Sequence, residues 1–433
     1  MLRGLLLWFI LIAGLPIAFL RPFAGLLLYL WYSHARPNDF VCCGYSSAMG
    51  ATLLSGATLL GYVLFEIHRS PPVIKGLRLI SLFWLWIALA TMSAAVPSLA
   101  QWKLSQYTHI FVITFLVAAM ANSQERLRTL FYVMGGSLGL LGAKGAIDFI
   151  TSGGHSRMRG PGGLAGEENE YALVLNMAIP ILFGLSQLED RRWLRLAMRG
   201  MAVGCAVTVI GTRSRSGFLG LIAVGLLLTF YSKRRLLGIA GLVLASVLLL
   251  KFAPPEAMRR YESISTAAET DNSAIGRLQA WETGLAMIKA HPFFGVGPFN
   301  FFDTFSQYSN YEPRAPHNAF VALAAESGIP SCVLFVAILL STIGRMWLLR
   351  RRLKKSPANE ALAAYCLIIQ TTLSVYIVPN FFINRQNLDL MYHLVGLSAG
   401  LALVAHRRLV EQRLDTNERL QEEAGLAFQP VGI

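Results

Sequence analysis

The residue type best suited to chemistry lies at His317, in the sequence Ala315-Pro316-His317-Asn318, just before an apolar run that begins at Ala319. A neutral imidazole can take a proton from an attacking hydroxyl, an effect worth about 10²- to 10⁴-fold in rate. Asn318 can cap the helix that the apolar run predicts, and Glu326 follows along that helix. The pattern indicates a general base at the mouth of a helix. A lone histidine at such a place is also typical of a structural interface residue.

Two arginines break the usual charge pattern of the chain. Arg213 and Arg215 lie in the short segment 212–216, between two apolar runs and without an acidic residue near them in sequence. An arginine at membrane depth costs about 2.5–3.5 kcal/mol, so such residues usually face a cavity and have a function. A guanidinium group binds phosphate oxygens in a bidentate manner, at about 1.5–3 kcal/mol per charged hydrogen bond. The segment predicts an anion clamp, the alternative being two side chains that extend to the membrane surface.

The glycine-rich segment 153–163 is a second candidate for substrate binding. It carries Arg157 and Arg159, and its glycines allow close approach of the backbone to a ligand. Asn169 follows at the start of the next helix, where either a helix cap or a contact with substrate fits its side chain. Arg385, in a further loop, is predicted to be structural rather than catalytic.

The composition predicts a membrane protein. Of the 433 residues, 55% are hydrophobic and 14% are charged, whereas soluble domains have about 25% charged residues. The net charge of +14 fits short basic loops on the cytoplasmic side of a membrane, so we expect no nucleic-acid partner. The five cysteines are scattered, which predicts neither a metal site nor a structural disulfide. We expect no cofactor.

The elements that must position these residues are membrane helices, which predicts an all-α fold: a polytopic helix bundle with about 12 transmembrane helices. The candidate apolar segments cover residues 5–20, 23–32, 49–65, 79–95, 104–121, 130–150, 171–188, 194–210, 217–231, 236–252, 319–349, 361–379 and 388–405. The second segment is too short for a full crossing. If it joins the first as a broken or re-entrant element, twelve crossings place both termini in the cytoplasm. Thirteen crossings, with the N-terminus outside, is the alternative.

The sidedness of the chain follows from its basic loops. Lysines and arginines cluster at 69–78, 126–128, 191–195, 233–235, 350–355 and 407–408, which alternate along the chain and therefore share one side. The positive-inside rule makes that side cytoplasmic and places His317 and the exceptional arginines on the opposite face. We expect a single transmembrane domain over 1–433, with a large periplasmic loop at 253–316 and a cytoplasmic tail at 407–433.

The loop 253–316 is long enough to have a function. Ile275, Leu278, Leu285 and Ile288 recur at helical spacing, which predicts an amphipathic helix on the membrane face over 273–290. Arg277 and Trp281 are four residues apart and share a face of this helix. Gly295-Val296-Gly297-Pro298 predicts a turn after it.

At these residues the sequence resembles the O-antigen ligase and O-antigen polymerase superfamily of bacterial envelope proteins, which also includes protein O-oligosaccharyltransferases. The resemblance covers residues 171–352. It rests on Ser214-Arg215-Ser216-Gly217 opening a helix, on Arg277 and Trp281 followed by Pro292 and Gly295-Val296-Gly297, and on Pro316-His317-Asn318 with Glu326 and Gly328. The N-terminal half, with Leu20-Arg21-Pro22 and Gly25, looks like the branch of O-glycosylation ligases associated with exosortase systems. The chain departs from the family pattern at Ser216 and at Glu167-Glu168-Asn169.

The resemblance implies a metal-independent glycosyltransferase of the bacterial inner membrane. Its donor would be a glycan linked to undecaprenyl pyrophosphate, and its acceptor lipid A-core, on the periplasmic face. Arg215 and Arg277 would hold the pyrophosphate while His317 orients or deprotonates the acceptor, with Arg213 in a secondary position. Asn318 and Trp281 are further expected substrate contacts. O-antigen polymerase and protein O-oligosaccharyltransferase are alternatives within the superfamily. A transporter of polyprenyl-linked glycans is the alternative of another class, and it would show paired broken helices near mid-membrane.

Overall fold

A computed structural model describes residues 2–40, 47–69, 74–161, 167–232, 235–236, 239 and 272–427, and within these ranges every regular element is a helix. The α-helices before residue 232 are α1 Leu2–Leu20, α2 Pro22–Ala35, α3 Ser47–Gly61, α4 Ile74–Met92, α5 Pro97–Met120, α6 Gln124–Thr151, α7 Glu168–Leu188, α8 Arg192–Gly211 and α9 Arg215–Tyr231. The remaining ones are α10 Asn272–Ala290, α11 Phe301–Thr304, α12 Ala319–Leu353, α13 Glu360–Asn380 and α14 Asp389–Ala427. Short 3₁₀ and π turns occupy Pro37–Phe40, Tyr62–Glu66, Ile67–Arg69, Phe305–Gln307 and Pro357–Asn359. The predicted all-α class is confirmed.

The helices have the length and composition of membrane spans. Within the described ranges, nine are long and apolar enough to cross a bilayer, and Gly76–Met92 and Arg215–Tyr231 form two shorter apolar helices. The predicted segment 236–252 and the part of the large loop up to residue 271 lie almost entirely outside the described residues. The figure of about twelve crossings therefore stays a prediction, while a multi-pass helical bundle is what the chain forms.

The first two helices form an antiparallel hairpin rather than one broken element. Gly25 packs against Ala18 and Gly14 against Leu28, so α2 returns along α1 after a turn at Arg21. α3 then runs parallel to α1, since Gly61 contacts the backbone of Phe19. Small residues at these crossings let the two helices approach closely. The choice between twelve and thirteen crossings stays a prediction.

Interhelical contacts gather the basic clusters at one end of the bundle, here called the basic end. Arg126 pairs with Glu66 at 3.3 Å and Arg128 with Glu189 at 3.1 Å. The guanidinium of Arg350 lies 5.1 Å from the ring centroid of Tyr231, at the last residue of α9. Because helices alternate in direction, the N-termini of α5, α7, α9 and α12 lie at the other end, here called the site end.

The predicted helix after residue 272 is present, and its packing is informative. α10 buries Ala280, Thr283 and Met287, while Leu278 and Leu285 are exposed. A Cβ atom added at Gly284 would contact Val321 of α12 at 2.6 Å, so this face lies close against the bundle. One face of α10 therefore packs on the protein, and its leucines face outward, as lipid-exposed surfaces permit.

Candidate active site at the site end of the bundle

A break in α12 shapes the site. Gly328 has φ 83° and ψ 164°, conformations that suit glycine, and Pro330 lacks the N–H that would continue the helix. The break frees three carbonyl groups, which find partners elsewhere. Val296 N donates to Ala325 O at 3.0 Å and Gly297 N to Glu326 O at 2.9 Å.

The third freed carbonyl, of Ser327, accepts a hydrogen bond from the indole of Trp86 at 3.1 Å, and Trp86 also reaches Phe293 O at 3.2 Å. The turn predicted at Gly295-Val296-Gly297 is therefore the element that satisfies a broken membrane helix. A Cβ atom at Gly328 would overlap the carbonyl of Phe293. These contacts fix the loop onto the bundle.

His317 stands just before the first part of α12 in a constrained backbone conformation. Its φ of 45° lies in the left-handed region, which non-glycine residues seldom occupy outside functional sites and turns. Both flanking peptides are held. The indole of Trp281 donates to Pro316 O at 2.6 Å, and Asn318 N donates to the Asn384 side chain at 2.6 Å.

Asn318 has the capping role that its position predicted. Its side-chain oxygen accepts hydrogen bonds from Phe320 N at 3.0 Å and Val321 N at 3.1 Å. This cap fixes the start of α12 directly after His317. Asn318 and Trp281, both predicted to contact substrate, act in the structure by fixing the position of the imidazole.

The electrostatic surroundings of His317 favour its neutral form. Burial lowers the pKa of the imidazole below its ordinary value, the positive charge of Arg277 lowers it further, and the carboxylate of Glu167 raises it. Arg277 lies one helical turn before Trp281 on α10, which the hydrogen bond to Pro316 O holds against this segment. A neutral imidazole at physiological pH can accept a proton.

The turn before α9 presents Arg215 as the first residue of that helix. Ser214 caps the helix, accepting from Gly217 N at 3.0 Å, and its hydroxyl donates to the Asn169 side chain at 2.5 Å. Ser216 contacts the same oxygen at 3.4 Å. Asn169 does not cap α7. It joins α7 to the turn that carries Arg215 and lines the cavity described below, while its contact with a substrate stays a prediction.

The other predicted arginines lie around the glycine-rich loop. Arg157 and Arg159 each place Nε against Glu168, at 3.0 and 2.9 Å. Arg213, with φ of 56°, donates to the carbonyls of His155 at 3.0 Å and Gly154 at 3.4 Å. These three arginines hold the loop to the starts of α7 and α9, and binding of an anion by Arg157 or Arg159 would compete with Glu168.

A cavity of about 400 Å³, here called the His317 cavity, lies between these elements. Its lining comprises Lys103, Glu167, Asn169, Glu170, Phe299, Phe301, Phe302, Asp303, Ala315, Pro316, His317, Ala322, Glu326, Ile383, Asn384, Arg385, Gln386 and Asn387. Within the described residues, Arg215 and Arg277 are not part of this wall. The structure thus brings His317 and Asn169 together in one cavity, with Arg277 close enough to act on the imidazole.

Lys103 and Glu326 are ionisable residues of this wall, and sequence reasoning missed the first of them. Lys103 is 6% exposed, and its Nζ lies 5.0 Å from the ring centroid of Phe299, with no ion pair or hydrogen bond to any described residue. Glu326 accepts hydrogen bonds from the backbone N–H groups of Phe299 and Phe301. The carboxylate of Glu326 acts on the ammonium of Lys103 without forming an ion pair with it. A buried ammonium that makes no ion pair is costly, so an anion in the cavity would find a favourable place beside Lys103.

Arg385, predicted to be structural, also lines the cavity. Its guanidinium pairs with Glu170, and buried tyrosines hold the loop that carries it. Tyr376 donates to Arg385 O at 2.6 Å and Tyr392 to Gln386 O at 2.9 Å.

The signal for Lys103 was available in the sequence. Of the Lys, Arg, Asp and Glu residues, α5 contains Lys103 alone, and this lysine lies near the end of the helix that is opposite to the basic loops.

The fold and this cavity define a multi-pass membrane protein with a charged, partly enclosed site at one end of its helix bundle. Residues 200–336 match the family model described as O-antigen ligase, which supports a place in the O-antigen ligase/polymerase superfamily. Residues 2–160 match a family of unknown function, DUF5935. No curated protein shows significant similarity to the chain.

The match confirms the resemblance and covers the residues that carried it. Arg213, Arg215, Arg277, Trp281, His317 and Glu326 all lie within residues 200–336. The match indicates a glycosyltransferase-like enzyme of the O-antigen ligase or polymerase type and supports a place in lipopolysaccharide biosynthesis. Lys103, Asn169 and Arg385 lie outside the matched span and reach the cavity from the rest of the bundle.

Proposed function

We propose that this protein moves a preassembled glycan from undecaprenyl pyrophosphate to lipid A-core on the periplasmic face of the bacterial inner membrane. The observation that carries the proposal is His317, half-buried in the wall of a charged cavity, where burial and the charge of Arg277 lower the pKa of its imidazole. The gathering of the basic loops at the opposite end supports a periplasmic position for the site.

In the proposed reaction His317 accepts the proton of an acceptor hydroxyl as that oxygen attacks the anomeric carbon of the donor sugar. The bond between this carbon and the pyrophosphate oxygen breaks, and the lipid pyrophosphate leaves with its negative charge. Arg215 and Arg277 are the groups we assign to that charge, since preorganised donors are worth most where charge develops. Arg213, Arg157 and Arg159 would border the donor from the glycine-rich loop.

The acceptor decides between a ligase, an O-antigen polymerase and a protein O-oligosaccharyltransferase. The test is reconstitution of the purified protein with an undecaprenyl-pyrophosphate glycan and, separately, lipid A-core, a second donor molecule and a protein acceptor. We expect sugar to appear on lipid A-core in the wild type and not with His317→Ala. Transfer to another acceptor would reassign the subclass, and full transfer by His317→Ala would remove the general-base role.

A transporter of polyprenyl-linked glycans is the second candidate. It calls for a pair of broken helices near mid-membrane. Among the described helices, α12 is the one that contains a non-helical residue, and its break at Gly328 lies toward the site end. This position favours the enzyme. Movement of donor across vesicles without loss of its glycan would favour transport instead.

A further inference from the structure

A second cavity, of about 560 Å³, adjoins the His317 cavity and is here called the N-terminal cavity. Its lining comprises Tyr29, Tyr32, Ser33, Arg36, Asn38, Ala51, Thr52, Trp102, Lys103, Gln106, His109, Ile110, Phe299, Arg385, Asn387 and Asp389. Four of these residues also line the His317 cavity: Lys103, Phe299, Arg385 and Asn387. The two cavities therefore meet at a shared wall, and the larger of them is not used by the reaction described above.

Most of the lining of the N-terminal cavity comes from α2, α3 and α5, within residues 2–160. The O-antigen ligase match begins only at residue 200. The segment of unknown function thus contributes a chamber of its own directly beside the proposed transfer site. Its volume lies within the range of about 300–1,000 Å³ that is usual for ligand sites.

The charges around this chamber are largely compensated, apart from Lys103 at the shared wall. Arg36 pairs with Asp39 at 3.4 Å, Arg385 with Glu170, and the carboxylate of Asp389 accepts a hydrogen bond from Ser33 at 3.2 Å. An anionic group of a ligand would be drawn to the shared wall. The rest of the chamber suits an uncharged, polar ligand.

Polar side chains without partners line the chamber together with aromatic rings. Gln106 and Asn387 make no side-chain hydrogen bond to any described residue, so their amides can donate to and accept from a ligand. Tyr29, Tyr32 and Phe299 contribute rings to the wall, and Trp102 is 51% exposed. Amide groups match the hydroxyls of a sugar, and ring faces match its C–H surface.

The backbone at this chamber is also constrained. Of the four non-glycine residues with positive φ among those described, Arg36 at 47° and Phe299 at 63° both line it. Phe299 further supports the ammonium of Lys103, at 5.0 Å from its ring centroid. Strained positions of this kind persist where the surrounding structure fixes them, and they cluster at ligand sites.

We propose that the N-terminal cavity binds sugar residues of one of the two substrates, while the attached pyrophosphate or the reacting hydroxyl lies in the His317 cavity. The proposal rests on the proposed glycan transfer and adds the place where the glycan is held. It also assigns a role to the N-terminal segment: recognition of the saccharide. The donor glycan and a glycan-bearing acceptor share the same chemistry, and the experiment distinguishes them.

The test uses the full-length protein in detergent and two lipids that differ only in sugar: undecaprenyl pyrophosphate alone, and the same lipid carrying a defined oligosaccharide. Gln106→Ala removes an amide from the chamber and Gln106→Trp fills it. Gln101→Ala and Gln101→Trp are the matched controls, since Gln101 is an exposed residue of the same helix and lies outside both cavities. Melting temperatures establish that each variant is folded.

We expect Gln106→Ala to weaken binding of the sugar-bearing lipid by about two- to tenfold, the worth of one or two hydrogen bonds. Gln106→Trp should weaken it more, and binding of the bare lipid should stay unchanged. If the chamber holds the acceptor instead, both variants will raise the KM for a glycan-bearing acceptor and leave donor binding unchanged. Either result supports a saccharide site and identifies its source.

The proposal is overturned if both Gln106 variants bind both lipids, use the acceptor and transfer glycan as the Gln101 variants do. It is also overturned if Gln106→Trp weakens binding of the bare lipid as much as that of the sugar-bearing one, because the chamber would then hold lipid pyrophosphate. A wild-type protein that neither binds the donor nor transfers its glycan would instead refute the proposed function itself.

Discussion

The two ends of the helix bundle use charged residues in opposite ways. At the basic end, arginines lie against carboxylates and rings of neighbouring helices, as Arg126 does with Glu66 and Arg128 with Glu189. At the site end, Lys103 is buried without an ion pair to any described residue, and Arg277 lies where its charge acts on a histidine. The first arrangement fits stabilisation and membrane orientation, the second the binding of an anion. A positively charged residue therefore predicts different functions according to the end of the bundle at which it lies.

The largest effect that this comparison predicts is at His317. His317→Ala should lower kcat for glycan transfer by about 10²- to 10⁴-fold, because the general base is lost. KM for the donor should change little. His291→Ala is the matched control: His291 is an exposed histidine of the same region that contacts Tyr308 at 2.9 Å, and its loss should leave transfer unchanged. Similar rates in the two variants would contradict the assignment.

Lys103→Met should weaken donor binding by about ten- to a hundredfold, the worth of a charged hydrogen bond. The same change removes a buried ammonium without an ion pair, so the melting temperature should stay unchanged or rise. Lys144→Met is the control, since Lys144 is exposed and pairs with Asp148 at 2.5 Å. A lower melting temperature with unchanged donor affinity would show that Lys103 is structural, and the two ends would then differ less than we infer.

At the basic end, Arg128→Ala should change stability and not activity. The side chain of Arg128 is 56% exposed and that of Glu189 2%. Because the pair is partly solvated and Tyr132 also bonds Glu189, we expect the free energy of unfolding to fall by about 0.2–1 kcal/mol. Thermal melting in detergent measures this, with Arg413→Ala on the exposed part of α14 as control. A loss of donor affinity in Arg128→Ala would contradict the inference that arginines at the basic end only stabilise the fold.

The smallest predicted effect is a shift of the pH profile in Glu167→Gln. Glu167 raises the pKa of His317 while burial and Arg277 lower it, so loss of its charge should lower that pKa further. Transfer needs the neutral imidazole, which predominates above the pKa. The acid limb of kcat/KM should therefore move to lower pH. Glu312→Gln, at an exposed carboxylate of the same loop region, should leave the limb in place, and an upward shift in Glu167→Gln would contradict the electrostatic account.

Much of the fold could be predicted from the sequence, because hydrophobic runs report membrane helices directly. Periodicity also located α10 within one residue of its observed start. It separated α1 from α2 but did not show that the two helices form an antiparallel hairpin. The contacts that hold the hairpin together, such as that of Gly25 with Ala18, join residues whose pairing no sequence periodicity indicates.

The candidate site was predictable where a residue broke a rule, as Arg215 and His317 did. The partners of these residues were not predictable. Asn169 meets Ser214 across 45 positions, and Glu168 pairs with Arg157 and Arg159 instead of leaving them to a ligand. The surroundings of Lys103 were not predictable either, because four helices and three loops, distant from one another in sequence, form the wall of its cavity.

The break in α12 has a consequence for how the chain enters the membrane. The part after Gly328 has the length to cross the hydrocarbon core unaided, at 1.5 Å per residue and a thickness of about 30 Å. The nine residues from Ala319 to Ser327 are then free of the spanning task. They are available to form part of the His317 cavity through Ala322 and Glu326. Membrane crossing and the candidate site therefore depend on separate parts of a single helix.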